Sequence, residues 1–174
     1  MSENKVKHSM KTNVEGRTLT MERIFDAPRD LVFKVFSEGE HLENWWGPKG
    51  WETENLSFDF KSEGEWHYCM KCVDKSQGEW YGQQSCGKAI YQEIVEPKKI
   101  VYKDLFSDSE GNIVEDMPEM LISLTFVNQG DKTQLITKSE FASTDALKQV
   151  MGMGAVEGFT SQNEKLADYL NQLK

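Results

Sequence analysis

The stretch Ser143–Lys174, STDALKQVMGMGAVEGFTSQNEKLADYLNQLK, is the part of the sequence that decides the fold. Its apolar residues recur at helical spacing and gather on one broad stripe, while most of its charged residues fall on the opposite side. The polar run Ser143-Thr144-Asp145 supplies side-chain oxygens of the kind that start a helix. We therefore predict one long amphipathic C-terminal helix that packs along one face on the rest of the domain.

Three glycines interrupt the middle of this apolar stripe. Gly154 and Gly158 lie one turn apart, with Gly152 just before them, although a glycine costs a helix interior roughly 1 kcal/mol relative to alanine. Two interpretations are open. The bare face either lets the helix approach a sheet closely or leaves room for a ligand.

The composition limits the classes of partner. The 174 residues carry a formal net charge of −9 and 38% hydrophobic residues, which is typical of one domain with one core. The acidity disfavours nucleic acid and anionic membrane surfaces as partners. Because there is no apolar run of roughly 20 residues and no signal-peptide core, we expect a cytoplasmic protein without membrane insertion, either monomer or homodimer.

The rest of the chain predicts a polar, flexible tail over residues 1–16, followed by a single domain over residues 17–174. A first strand, Thr18–Phe25, leads into two short helices, Pro28–Ser37 and Gly39–Trp45. Alternating runs then predict an antiparallel meander, with strands near Glu52–Phe60, Gly64–Val73, Glu79–Val95, Lys99–Phe106, Met120–Asn128 and Thr133–Phe141. The fold class is therefore α+β, a curved antiparallel sheet around the C-terminal helix, with a cavity between the helix and the concave face.

The three cysteines, Cys69, Cys72 and Cys86, fit reduced thiols in a reducing compartment better than a disulfide framework. Cys69 and Cys72 have the CxxC spacing of a metal or redox pair, but residues three apart on a strand point to opposite faces. We therefore expect no redox motif here. The histidines lack zinc-ligand spacing, and the sequence predicts no metal and no cofactor.

Several tryptophans surround a Gly-Pro-Lys-Gly turn in the segment Asn44–Trp51, NWWGPKGW. Large aromatic side chains in a loop either cap a core or form the rim of a pocket, since tryptophan combines a broad apolar face with one polar N–H group. Both interpretations remain open for Trp45 and Trp46.

Separate segments of the chain together resemble the family of proteins homologous to the C-terminal domain of the activator of Hsp90 ATPase. They are RIFDAPRDLVF from Arg23, WWGPKG from Trp45, GEWHYCM from Gly64, EIVEPKKI from Glu93 and GAVEGF from Gly154. The family belongs to the START-like, or helix-grip, superfamily, and the match covers about residues 18–173. The resemblance implies a hydrophobic cavity under the long helix. It settles no reaction, because the superfamily hosts carriers, cyclases, toxin-resistance proteins and co-chaperone domains.

Catalysis needs a nucleophile with a base, a pair of tuned carboxylates or a metal, and the sequence shows no local motif of these kinds, so we assign no catalytic residue. Glu93 is the carboxylate with two open interpretations: facing the cavity it would be a desolvated acid or base, and facing outward an ordinary surface group. Asn163 stands where the family usually has a leucine. It is either a solvated edge residue or a donor and acceptor for a ligand.

We rank the binding of a small apolar or aromatic molecule first, since it requires only the cavity and an aromatic rim. A cyclase- or hydratase-type enzyme with a polyketide-like substrate would also need acid and base groups in the cavity, and an Hsp90 co-chaperone, which ranks last, would use an exposed surface. The predicted ligand-binding residues are Trp45, Trp46, Trp66, Tyr68, Glu93, Tyr102, Gly158, Phe159 and Asn163.

Overall fold

The computed structural model describes residues 10–173, in which two strands and two short helices precede a long meander. The first four elements are β1 (Lys11–Glu15), β2 (Thr18–Phe25), α1 (Arg29–Ser37) and α2 (Gly39–Trp45). The meander consists of β3 (Trp51–Phe58), β4 (Glu65–Cys72), β5 (Gln84–Val95), β6 (Lys99–Ser107), β7 (Met120–Gln129) and β8 (Lys132–Glu140), with a 3-10 helix, Lys75–Trp80, before β5. The chain ends in α3 (Thr144–Gly152) and α4 (Ala155–Gln172).

All eight strands of the described residues join one antiparallel sheet in the order β1-β2-β8-β7-β6-β5-β4-β3. The inner face is apolar: along β7, every second residue from Met120 to Phe126 is buried, as expected for a strand with one face in the core. The buried faces of α1, α2 and α4 join the same core. The prediction of an α+β sheet with helices after the first long strand and at the C-terminus is confirmed.

Two β-bulges bend the sheet. One lies in β3 between Asn55 and Ser57, and the other lies in β5 between Tyr91 and Glu93. An extra residue in one strand bends that strand and increases its twist. It also reverses the inward and outward alternation beyond it. Tyr91 pairs with the buried Tyr102, whereas Glu93, two residues later, pairs with Val101, which is only one residue from Tyr102. Glu93 therefore faces the opposite side of the sheet from Tyr91.

The structure corrects the prediction for the N-terminal segment. Lys11–Glu15 form β1, paired with β2 from Lys11 opposite Glu22 to Glu15 opposite Thr18, so the predicted flexible tail is wrong for these five residues. All five are exposed. Their pairing depends on backbone hydrogen bonds, which leave no apolar pattern in the sequence. Residues 1–9 lie outside the described part of the chain, and a flexible tail there stays a prediction.

The prediction of one continuous C-terminal helix is wrong, because the chain breaks between α3 and α4. Gly154 has φ of 87°, a left-handed conformation that glycine adopts without the steric cost met by other residues. Its carbonyl accepts the first hydrogen bond of α4, from the Gly158 N–H at 2.9 Å. The predicted start is confirmed: Ser143 Oγ accepts from the Ala146 N–H at 3.1 Å. None of the described helices is long and apolar enough to cross a bilayer.

The expectation of three reduced thiols is also wrong. Cys69 and Cys86 form a disulfide between directly paired positions of β4 and β5, while Cys72 is a buried free thiol. Cys69 is therefore bonded to Cys86 and not to Cys72. Pairing across two strands depends on their register, which the spacing of cysteines along one chain does not reveal.

Candidate functional site

A cavity of about 220 Å³ lies between the concave face of the sheet and the two C-terminal helices. Strands β4 to β7, the loop after α2, and both helices contribute to its wall, which is mainly apolar. Its larger side chains are those of Trp46, Tyr68, Met70, Phe106, Met120 and Phe159.

Gly158 contributes bare helix backbone to this wall. A Cβ atom built on Gly158 meets no heavy atom within 4 Å, so the missing side chain does not serve close packing against the sheet. For Gly158, the structure therefore favours the second interpretation of the bare stripe, in which the glycine leaves space. Gly154 has a different role, since it turns the chain between α3 and α4.

The cavity wall includes one carboxyl group, Asp104 on β6. Asp104 is 8% exposed, and the Tyr68 hydroxyl donates to its Oδ1 at 3.1 Å. Burial raises the pKa of Asp104 to about 7, and the hydrogen bond from Tyr68 offsets part of that increase. Burial, together with the nearby Asp104 carboxylate, also raises the pKa values of Tyr68 and Tyr102 well above their ordinary range. The cavity thus holds a carboxyl group that changes charge near neutral pH.

A glycine on β5, the strand between β4 and β6, lets Tyr68 reach Asp104. Tyr68 on β4 pairs with Gly87 on β5, while Asp104 on β6 pairs with Ala89. A Cβ atom on Gly87 would lie 2.5 Å from the Tyr68 hydroxyl oxygen. Because Gly87 has no side chain, the Tyr68 ring crosses β5 and meets a carboxyl group two strands away.

Helix α4 holds the loop that carries Trp46. The Gly47 N–H donates to Gln162 Oε1 at 2.9 Å, and the Lys49 N–H donates to Ser161 Oγ at 2.9 Å. Lys165 Nζ donates to the carbonyl of Trp46 at 3.4 Å. These bonds fix the indole of Trp46 in the cavity wall, where its ring centroid lies 5.6 Å from that of Tyr68.

The predicted site residues divide into two groups. Trp46, Tyr68, Gly158 and Phe159 line the cavity; whether they bind a ligand stays a prediction.

Trp45, Trp66 and Tyr102 belong to the core instead of the cavity wall. The indole N–H of Trp45 donates to the Val35 carbonyl at 3.0 Å, and that of Trp66 donates to Asn55 Oδ1 at 2.8 Å. Both indole donors are therefore satisfied within the protein. For Trp45, the structure favours the interpretation in which the aromatic ring caps a core.

Glu93 and Asn163 also lie away from the cavity wall, against their prediction as ligand-binding residues. The bulge in β5 turns Glu93 outward, where its half-exposed carboxylate pairs with Lys99 Nζ at 2.9 Å. Asn163 is buried, and its Nδ2 donates to the Phe159 carbonyl one turn earlier at 2.8 Å. Neither side chain offers a free polar group to the cavity.

Asp104 is not among the predicted ligand-binding residues, although the alternation in β6 places it on the same face as Ile100 and Tyr102. Strand alternation was therefore the available signal. Gln162 was also missed, since its bond to Gly47 links residues 115 positions apart in the chain.

The comparisons with known proteins concern the whole domain. The family model described as "Activator of Hsp90 ATPase homolog 1-like protein" matches residues 26–171. No curated protein sequence matches the chain.

Solved structures share the fold at low sequence identity. A protein from Arthrobacter aurescens has a TM-score of 0.84 at 23% identity, over 94% of this chain and 91% of that one. One from Staphylococcus epidermidis has a TM-score of 0.79 at 27% identity, over 95% and 96%. CalU16 from Micromonospora echinospora has a TM-score of 0.58 at 15% identity, over 94% and 85%.

Proposed function

The chain belongs to the family of activator of Hsp90 ATPase homolog 1-like proteins, and we propose that it binds a small apolar or aromatic molecule in the cavity between its sheet and its C-terminal helices. The observation that carries the proposal is the cavity itself, about 220 Å³ with a mainly apolar wall and a glycine facing open space. A concave, mainly apolar pocket with a few polar groups is the usual form of a small-molecule site, and the bare helix backbone at Gly158 leaves space in it for a ligand.

The volume limits the size of this ligand. An apolar void of about 150 Å³ in another protein holds benzene, so this cavity has room for roughly two fused rings. For about twelve non-hydrogen atoms at about 0.5 kcal/mol per atom, the binding free energy would be near −6 kcal/mol, or a dissociation constant on the order of tens of micromolar. Screening therefore requires probe concentrations in the range of hundreds of micromolar.

The test is a pair of matched leucine substitutions. Gly158→Leu would place a side chain inside the cavity, whereas Gly152→Leu would add the same side chain at an exposed helix position outside the cavity wall. Filling the void should lower the affinity for bicyclic aromatic probes by at least about tenfold, while stability rises because a glycine leaves a helix interior. Calorimetric titration and thermal unfolding measure the two effects.

The proposal fails if Gly158→Leu and Gly152→Leu bind every probe as the wild type does. It also fails if native mass spectrometry detects no bound small molecule and no probe raises the melting temperature in a saturating manner. Stimulation of Hsp90 ATPase in the same preparation would instead support a protein partner at the surface.

A second candidate is a cyclase- or hydratase-type enzyme, favoured by the contact between Asp104 and Tyr68 in the cavity. A carboxyl group with a pKa of about 7 can both accept and donate a proton at neutral pH. Under this alternative, Asp104→Asn abolishes the conversion of a bound probe, followed by mass spectrometry, and leaves its binding intact. Product formation at the wild-type rate in Asp104→Asn would remove it.

A further inference from the structure

The Asp104 carboxyl group has fewer partners than a buried charge requires. Its Oδ1 accepts a hydrogen bond from the Tyr68 hydroxyl. Among the described residues, this is the side-chain interaction that stabilises the ionised carboxylate. The cavity wall contains no lysine, arginine or histidine among the described residues. An ionised carboxylate in an apolar site is unfavourable unless it is paired. A positive charge or a second donor on the cavity side would stabilise the ionised form.

The surrounding side chains suit a cation. Trp46 and Tyr68 present aromatic rings in the cavity wall, and aromatic rings attract cations through their electron-rich faces. Phe106 lies on the same face of β6, two residues from Asp104. Met120 on the neighbouring strand β7 pairs directly with Asp104. The net charge of −9 adds a favourable long-range potential for a positively charged ligand.

We propose that the cavity ligand is a small arylalkyl amine, with its amino group on a saturated carbon next to the ring, bound as its cation with the ammonium group donating to the Asp104 carboxylate and the ring lying against Trp46 and the bare backbone at Gly158. This inference rests on the proposed function, because it assigns the ligand class of the same cavity. The carboxylate selects against organic acids, and the aromatic wall selects for a ring. Asp104 is then the residue that determines specificity.

The pH dependence of binding should come from Asp104 and the ligand alone. The titratable groups that face Asp104 are Tyr68 on β4, Tyr91 on β5 and Tyr102 on β6, and burial raises the pKa of each hydroxyl further from neutrality. Met120 on β7 and Gln162 on α4 do not titrate. Affinity for an amine should therefore rise as Asp104 loses its proton near pH 7 and level off above it, since the ammonium stays charged to about pH 9.

The experiment compares amines with their alcohols. Benzylamine, 2-naphthylmethylamine, benzyl alcohol and 2-naphthylmethanol are titrated calorimetrically into the full-length protein between about pH 6 and pH 8.5. We expect each amine to bind at least about tenfold more tightly than its alcohol at the upper pH, and Asp104→Asn to remove this preference. The control is Glu93→Gln, which neutralises an exposed carboxylate outside the cavity wall and should retain it.

A second variant separates specific recognition from a loss of packing. Tyr68→Phe removes the hydrogen bond that lowers the Asp104 pKa, so the midpoint of the amine-binding profile should move to higher pH while the alcohols bind without such a shift. A preference for amines that survives in Asp104→Asn overturns the inference. If amines and alcohols bind equally and Gly158→Leu abolishes this binding, the inference of an amine ligand is overturned and the proposed function stands. If no probe binds, both the inference and the proposed function are overturned.

Discussion

Replacing Asp104 with asparagine should remove a pH-dependent loss of stability from the ligand-free protein. The pKa of this carboxyl group rises from an ordinary 3.8 to about 7 on folding. The folded protein therefore holds the proton more tightly than the unfolded chain does, and the stability gained from this proton is complete below about pH 4 and lost as the pH rises to about 7. At 1.36 kcal/mol per pH unit, the whole effect is on the order of 4 kcal/mol.

The assay is urea unfolding followed by tryptophan fluorescence at a series of pH values for the wild type and Asp104→Asn. Measurements between about pH 5.5 and pH 8.5 avoid precipitation near the sequence pI of 4.9. As the pH rises across that window, the free energy of unfolding of Asp104→Asn should increase by about 2 kcal/mol relative to that of the wild type. Asparagine retains an oxygen that can accept from Tyr68, so the comparison isolates the charge.

Glu93→Gln provides the control, because the Glu93 carboxylate is half exposed and paired with Lys99. Its difference from the wild type should stay nearly flat over the same pH range. A stability difference between the wild type and Asp104→Asn that does not change with pH would contradict this prediction. So would a wild type that becomes more stable relative to Asp104→Asn as the pH rises. Either result would mean that the carboxylate is well stabilised in the folded protein.

Three further substitutions test other parts of the structure by the same unfolding assay. Gly87→Ala should cost about 1–3 kcal/mol, because the added Cβ overlaps the Tyr68 hydroxyl; unchanged stability would mean that Tyr68 moves aside freely. Replacing both Cys69 and Cys86 by serine should lower the free energy of unfolding by about 3 kcal/mol, because the bond closes a loop with a separation of 17 residues. Equal stability of the wild type with and without reductant would contradict the disulfide. Gly154→Ala should cost about 1–2 kcal/mol through its φ of 87°, whereas a gain would indicate a continuous helix.

Local signals predicted the elements near the start of the domain well. The strand Thr18–Phe25 and the helix Gly39–Trp45 have the predicted bounds, because apolar periodicity and a proline or glycine mark their ends in the sequence itself. The meander and its order along the chain followed from the same alternation.

Several features that the sequence left open or did not reveal depend on the registers between strands. The orientation of Glu93 follows from a bulge that inserts one residue into β5, and alternation counted along the strand alone gives the wrong face beyond it. The Cys69–Cys86 bond and the contact of Tyr68 with Asp104 likewise need the pairing of β4, β5 and β6. The break at Gly154 was visible as a glycine, but not as a left-handed residue.

The order of the strands has a consequence for how the protein is made. Strands β3 to β8 are neighbours in sequence and can pair one after another as hairpins, but β2 pairs with β8, with Thr18 opposite Glu140. On a ribosome, one edge of β2 and part of the apolar face of α1 have no partner until β7 and β8 emerge. Such a high contact order slows folding and leaves apolar surface open to aggregation. Nascent chains stalled before β8 should therefore be prone to aggregation and sensitive to protease. Protection from protease should appear abruptly once that strand leaves the exit tunnel.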